Sequence, residues 1–158
     1  MVFEKEVVDP YARAMNGRNG PGLALSVQPP QEKHPFTPPA KQDLVILETH
    51  VRDLLIHAPI PLTENERMQF RGLSKWLMSE DCYLRKLGVN AIELQPIHEF
   101  DARTKEEYHW GYMSVNFFAP SSSYASNPCD GSVINEFKDL VGRLHDAGLA
   151  VIIDVVYN

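Results

Sequence analysis

The chain has 158 residues, 44% of them apolar and 23% charged, with a formal net charge of -6. That length and apolar share suffice for a domain with a packed core, and the acidic balance argues against nucleic acid as a partner, because phosphates reward clustered Lys and Arg. No run of eighteen apolar residues occurs, so no membrane-spanning helix, and no membrane partner, is expected.

The opening "MVFEKEVVDP" is charged and lacks the apolar segment of a signal peptide. Cys82 and Cys129 stand far apart with no C-x-x-C pair, which reads as two free thiols in a reducing setting and favours the cytoplasm. The six histidines form no H-E-x-x-H pattern, so no histidine metal site is expected. Residues 1–43 differ in composition from the rest: "NGRNGPG" packs turn residues together and "QPPQEKHPFTPP" is proline-dense. Proline fixes φ and removes a donor, so this stretch reads as a linker or an extended arm lying over a surface.

From residue 44 the pattern changes. "LVILETHV" (Leu44 to Val51) is a short apolar, β-branched run, predicted to be a strand buried on both faces. A polar insert, "IHAPIPLTENERMQFRG", follows and reads as a solvated loop. "SEDCYLRKLG" is predicted to be a helix, acidic at its start, basic late, and stopped by Gly88. "VNAIELQPI" is a second buried strand, and a long loop is predicted from about residue 98 to 131. "SVINEFKDLVGRLHDAGL" is the clearest helix, with Ile134, Phe137, Val141 and Leu144 on one face, Leu140 on its flank and Gly148 as the cap. "AVIIDVV" is the third strand, carrying one carboxylate, Asp154.

Strand, helix, strand, helix, strand, with a glycine closing each helix, describes parallel crossover units in an α/β protein. An open doubly wound sheet and a closed barrel share that order. The loop after the second strand exceeds the length of ordinary connections and is rich in aromatics: Tyr108, Trp110, Tyr112, Phe117, Phe118 and Tyr124. At the carboxyl end of a parallel strand it stands where both architectures build binding sites. The alternative is a satellite hydrophobic cluster beneath a long loop.

Several segments together resemble the α-amylase superfamily of glycoside hydrolases, in its isoamylase and glycogen-debranching branch. "YHWGYMSVNFFAPSSSYAS" and "EFKDLVGRLHDAGLAVIIDVVYN" carry the resemblance most clearly. "LVILETHVRDL" is similar to that branch's first barrel strand, and "LRKLGVNAIELQPIHEF" to its first helix and second strand. "DPYARAM" resembles the segment leaving a preceding carbohydrate-binding β-domain. The resemblance implies a linker or domain end over 1–43. Over 44–158 it implies the N-terminal portion of a (β/α)8 TIM barrel, that is, a partial barrel of three strands and two helices.

The implied activity is retaining hydrolysis of α-1,6 branch points in glycogen or amylopectin. Cleavage of α-1,4 bonds, branching-type transfer, or a non-catalytic glucan-binding module stand as alternatives. Retaining chemistry uses two carboxyl groups about 5–5.5 Å apart. In the family these, and a third supporting carboxylate, lie in motifs that follow "DVVYN", so no catalytic residue is expected in this chain, which is taken as a fragment inactive alone. The segment normally continues with a sugar-binding histidine, one residue beyond the end of this chain.

By the same resemblance, Tyr112 in "WGY" stacks on the sugar beside the scissile bond. Asp154 organises the floor of the sugar site, or bonds to loop backbone. Trp110 contacts sugar or packs the loop. Asn116 holds the loop, and Asn158 matches an asparagine that ligates calcium in many relatives and is structural in others, no cofactor beyond that calcium being implied. Glu48, Glu93, His98, Glu99 and Arg52 are read as structural, the two strand glutamates being satisfied by backbone or basic partners. The implied partners are α-glucans: glycogen, amylopectin and maltooligosaccharides. The open edge of the third strand predicts self-association.

Overall fold

The structure, a computed structural model, describes residues 8–17, 20–26, 35–101 and 110–157. Three parallel strands form its centre: β1 (Ile46–Thr49), β2 (Ala91–Leu94) and β5 (Ala150–Ile153), in the order β1-β2-β5. Ile46 stands opposite Ala91, and Ala91 opposite Ala150. Parallel neighbours require crossovers, and the helices that supply them cover one face of the sheet. Leu47, Ile92, Leu94 and Val151 point into that covered face and join its core.

Helix α1 (Val51–Ile56) follows β1 directly. The sequence pattern runs the first strand on to Val51, but His50 ends it: its Nδ1 accepts the Arg52 N–H at 3.2 Å and caps the new helix. Histidine is not among the favoured N-cap types, which is why the start is hard to read from sequence. Helix α2 (Phe70–Met78) buries Phe70, Leu73, Trp76 and Leu77 completely. This replaces the helix expected over "SEDCYLRKLG". There Ser79 turns the chain, and only a 3-10 turn, Tyr83–Arg85, forms before Gly88. The apolar stripe decides: four large core residues lie along α2, whereas only Cys82 and Leu84 are buried over Ser79–Gly88.

The insert between α1 and α2 is ordered, contrary to the expected solvated loop. The Arg67 guanidinium donates to the carbonyls of Leu55 (2.7 Å), Ile56 (3.3 Å), Ala58 (3.2 Å) and Ile60 (3.2 Å). Thr63 and Glu66 form a reciprocal capping box, the Glu66 N–H donating to Thr63 Oγ1 and the Thr63 N–H to Glu66 Oε2. Gly72 of α2 lets the insert lie against the helix, since a Cβ there would meet the Glu66 carbonyl oxygen at 1.9 Å.

The expected long loop contains a second sheet. Strands β3 (His98–Phe100) and β4 (Ser114–Pro120) pair antiparallel, with the register shifting on either side of Glu99. A bulged ladder hides the period-2 signal by which a strand is recognised. Residues 8–26, where described, lie against β4: Ala12, Met15 and Ala119 form a small separate core, and Met15 bridges Gly22. Phe36 stacks on His145 of α3 (Ser132–Asp146) at 4.1 Å between ring centroids.

Helix α3 matches the expected span, with a rotated face. Val133, Leu140 and Leu144 are buried, Ile134 and Phe137 pack at the margin, and Val141 is half-buried outside the core. It ends in a Schellman motif: the Leu149 N–H donates to Leu144 O and the Gly148 N–H to His145 O, both at 2.9 Å, with Gly148 at φ +77°. Among the described residues no helix is long and apolar enough to cross a membrane.

Burial on both strand faces, expected from composition, is found only for β2. The outer strands differ: Ile46 of β1 is 45% exposed and Ile153 of β5 is 37% exposed. The sheet face opposite the helices carries Ile46, Glu48 and Glu93, and among the described residues β1 and β5 each have a neighbour on one side only.

Candidate functional site

The three parallel strands end together. The ladder runs one residue past the strands, with the Gln95 N–H donating to Thr49 O at 2.9 Å and the Asp154 N–H to Leu94 O at 3.0 Å. Asp154 is thereby pinned at the carboxyl end of β5, beside the end of β2. Such ends are where parallel α/β sheets bind their ligands.

The aromatic loop reaches this place through Gly111. Its φ is +90°, and a Cβ there would lie 2.4 Å from the Pro96 carbonyl oxygen, so only glycine lets the chain cross so close to the end of β2. The next residue, Tyr112, donates its hydroxyl to Asp154 Oδ2 at 2.5 Å. That bond is the main cause that pushes the Tyr112 phenol up to about 12; burial adds to it, as do the negative charges of Asp154, Glu48 and Glu93. At neutral pH the phenol is a fixed donor and the ring is held in one orientation, while Asp154 Oδ1 is left to accept from another group.

The two residues marked from sequence as sugar contacts, Tyr112 and Asp154, are therefore joined by a direct bond across 42 residues of chain. Trp110, just before Gly111, has an exposed ring (58%). Asn116 stands apart from the pair, on β4. It is buried, its Oδ1 accepting from the Phe118 and Ala119 N–H groups and its Nδ2 donating to Asp9 O. Asn158 lies outside the described residues. Among those that are described, no group of three or more His, Cys, Asp or Glu is placed to hold a metal ion.

Glu48 and Glu93 face each other in register on the uncovered side of the sheet. Glu48 accepts from the Gln95 side-chain amide at 3.2 Å. The basic partners expected for them are not found among the described residues: neither glutamate forms an ion pair there. Glu48 is exposed and Glu93 half-buried, so water reaches both carboxylates without a cation beside them.

His98 and Glu99 lie on β3. Glu99 is buried and accepts the Ser122 N–H at 2.7 Å, clamping β3 to the turn Ser122–Tyr124; burial pushes its carboxyl up and also pushes the His98 imidazole down. Sequence reasoning missed a second clamp, His50 with Tyr124. Because His50 Nδ1 accepts the Arg52 N–H, its proton sits on Nε2, which faces Tyr124 Oη at 3.0 Å. It missed Gly111 as well, because a single sequence does not show that the backbone there must pass so close to Pro96.

No family model matches the chain. Individual proteins do. Pullulanase of Bacillus subtilis is 38% identical over 172 residues, spanning 97% of this chain and 23% of that protein. Chloroplastic isoamylase 1 of Oryza sativa is 36% identical over 177 residues, spanning 96% of this chain and 21% of that protein. Among solved structures, a variant of Paenibacillus barengoltzii pullulanase complexed with maltotriose superposes with a TM-score of 0.82 at 32% identity, over 98% of this chain and 27% of that one. The chain thus spans about a quarter or less of the length of these relatives. Ordered motifs along nearly the whole chain, these identities and the superposition agree: the chain belongs to the α-amylase superfamily, on the branch of the pullulanases and isoamylases.

Proposed function

We propose that this chain is a portion of a retaining α-glucan hydrolase that cleaves α-1,6 branch points, and that its own share of the work is to hold glucan at Tyr112 and Asp154. The observation that carries the reading is the 2.5 Å bond from Tyr112 Oη to Asp154 at the carboxyl ends of the parallel strands. The bond leaves a ring face for the C–H groups of a glucose unit and a carboxylate oxygen for its hydroxyls. The solved relative named above is complexed with maltotriose.

In this reading β1, β2 and β5 are the first three strands of a (β/α)8 barrel and residues 1–43 belong to the approach from a preceding domain. Tyr112 flanks the bond to be broken and Asp154 orders the floor. The nucleophile and the acid are carried by later strands, so the chain alone releases no linear chains from amylopectin.

The test is titration of the chain with maltotriose, followed by the amide signals of residues 110–113 and 153–155. Saturable shifts at both groups, abolished in Tyr112→Ala and weakened in Asp154→Asn, are the expected result. Shifts that survive Tyr112→Ala would overturn the assignment. The open edges of β1 and β5 are further read as a surface for self-association.

A further inference from the structure

Asn116 is 1% exposed, and both ends of its amide are engaged, in different tasks. Oδ1 accepts from the N–H groups of Phe118 (2.8 Å) and Ala119 (3.0 Å), shaping β4 from within. Nδ2 donates to the carbonyl of Asp9 at 3.0 Å, reaching a residue 107 positions earlier. Beside that bond Met15 is fully buried against Ala119, and the Tyr11 ring stacks on Phe118 with centroids 6.0 Å apart. The N-terminal arm is therefore fastened to β4 at three points, of which the Asn116 amide is the directional one.

The place where it is fastened matters. Asn116 is the residue opposite Glu99, where the β3–β4 register shifts on both sides. At a bulge the ladder is locally disrupted, and a slip of one residue turns every side chain to the other face. Tyr112 leaves the sheet just two residues before β4 begins, and the last bond holding that exit is from the Asp101 N–H to Met113 O at 2.8 Å. A shift of β4 along β3 would carry Tyr112 away from Asp154, since a strand advances about 3.3 Å per residue and their bond has no such slack.

We propose that residues 8–17 and 20–26 buttress the sugar-facing loop, with Asn116 as the positioning residue that locks the bulged β4 in register and so sets Tyr112 against Asp154. The buttress rests on the glucan reading of that pair only for its functional consequence: whatever precedes the arm is mechanically linked to the binding loop.

Asn116→Asp keeps the acceptor for Phe118 and Ala119 and replaces the donor to Asp9, cutting the arm link while leaving the turn within β4. Met15→Ala loosens the arm and removes the weaker contact that Asn116 Nδ2 makes with Met15 Sδ at 3.7 Å, but keeps the Asn116 bonds to Asp9, Phe118 and Ala119. The readout is the titration of Tyr112 by ring-labelled tyrosine NMR, which a merely stabilising contact would not move. In each folded variant the midpoint is expected to fall from about 12 toward the ordinary 10.0. The Asp101 amide should exchange about tenfold or more faster, and the double variant should go no further than the larger single effect.

An unmoved Tyr112 midpoint in folded variants, or effects that simply add, would overturn the proposal. If Asn116→Asp fails to fold, as judged by emission of the buried Trp76, Met15→Ala decides alone. Maltotriose titration of the same samples separates the two ideas: a wild-type chain that ignores the sugar sinks the glucan reading, while the Tyr112 shifts still judge the buttress.

Discussion

Tyr112 keeps its proton far into the alkaline range because its neutral hydroxyl serves the Asp154 carboxylate. The sign of the linkage follows. A folded value of about 12 above an ordinary 10.0 means that this bond contributes its full stability below pH 10 and loses it as pH rises through 12. Asp154→Asn removes the charge, so the Tyr112 midpoint should drop toward 10, and tyrosine absorbance against pH checks it. Gly111→Ala attacks the same site from the backbone, by putting a Cβ into the Pro96 carbonyl at a positive φ. Strain of this kind costs about 1–3 kcal/mol, to be measured as a lowered urea midpoint with loss of the Tyr112 shift. Tyr112 and Asp154 were legible in sequence as family motifs, and Asp154 also as a lone acid in an apolar strand. Their bond was not, because nothing local relates residues 42 positions apart. His50 and Tyr124 were illegible for the same reason.

At the scale of elements, the insert between α1 and α2 shows how polar residues can order a segment that composition marks as loop. Glu66 is its hinge: it closes the capping box with Thr63 and pairs with Lys75 of α2. The hydrogen bond from Lys75, then that from the Thr63 backbone, brings the Glu66 carboxyl down to about 2 from an ordinary 4.5. A depressed value contributes stability that is present above pH 4.5 and lost as pH falls toward 2. The gap in urea midpoint between wild type and Glu66→Gln should therefore be open at pH 6 and closed near pH 2; a gap independent of pH would refute the role. The "T-x-x-E" spacing was not singled out from the sequence, and it precedes a 3-10 turn and not the helix. Helix α3 and strand β2 were readable because their apolar periodicity coincides with real burial. The helix expected at "SEDCYLRKLG" had charge order and a glycine stop without an apolar stripe, and tertiary burial decided for α2 instead.

At the scale of the whole molecule, the parallel order β1-β2-β5 and the Gly148 stop of α3 were foreseeable; the absence of a helix ending at Gly88 and the depth of burial were not. Apolar composition reports what a strand prefers to touch; it cannot report which neighbours are present. Among the described residues both β1 and β5 offer unpaired edges, with Val45, Ile46, Ile153 and Val155 exposed along them. Exposed parallel edges with apolar flanks are templates for further pairing. Light scattering should show a mean mass that rises with concentration, and Ile46→Lys, which places a charge on one edge, should lower it. A monodisperse monomer that unfolds cooperatively would contradict the expectation.

The bond between Tyr112 and Asp154 also has a meaning in time. A chain is made from its N-terminus, and contacts distant in sequence close after local ones because their loops cost more entropy. The ring of Tyr112 is thus synthesised well before the carboxylate that orients it, and waits until β5 has docked on β2. Closure of that bond is then the last step in assembling the sheet, and the ring's orientation becomes a built-in report that the third parallel strand has been seated.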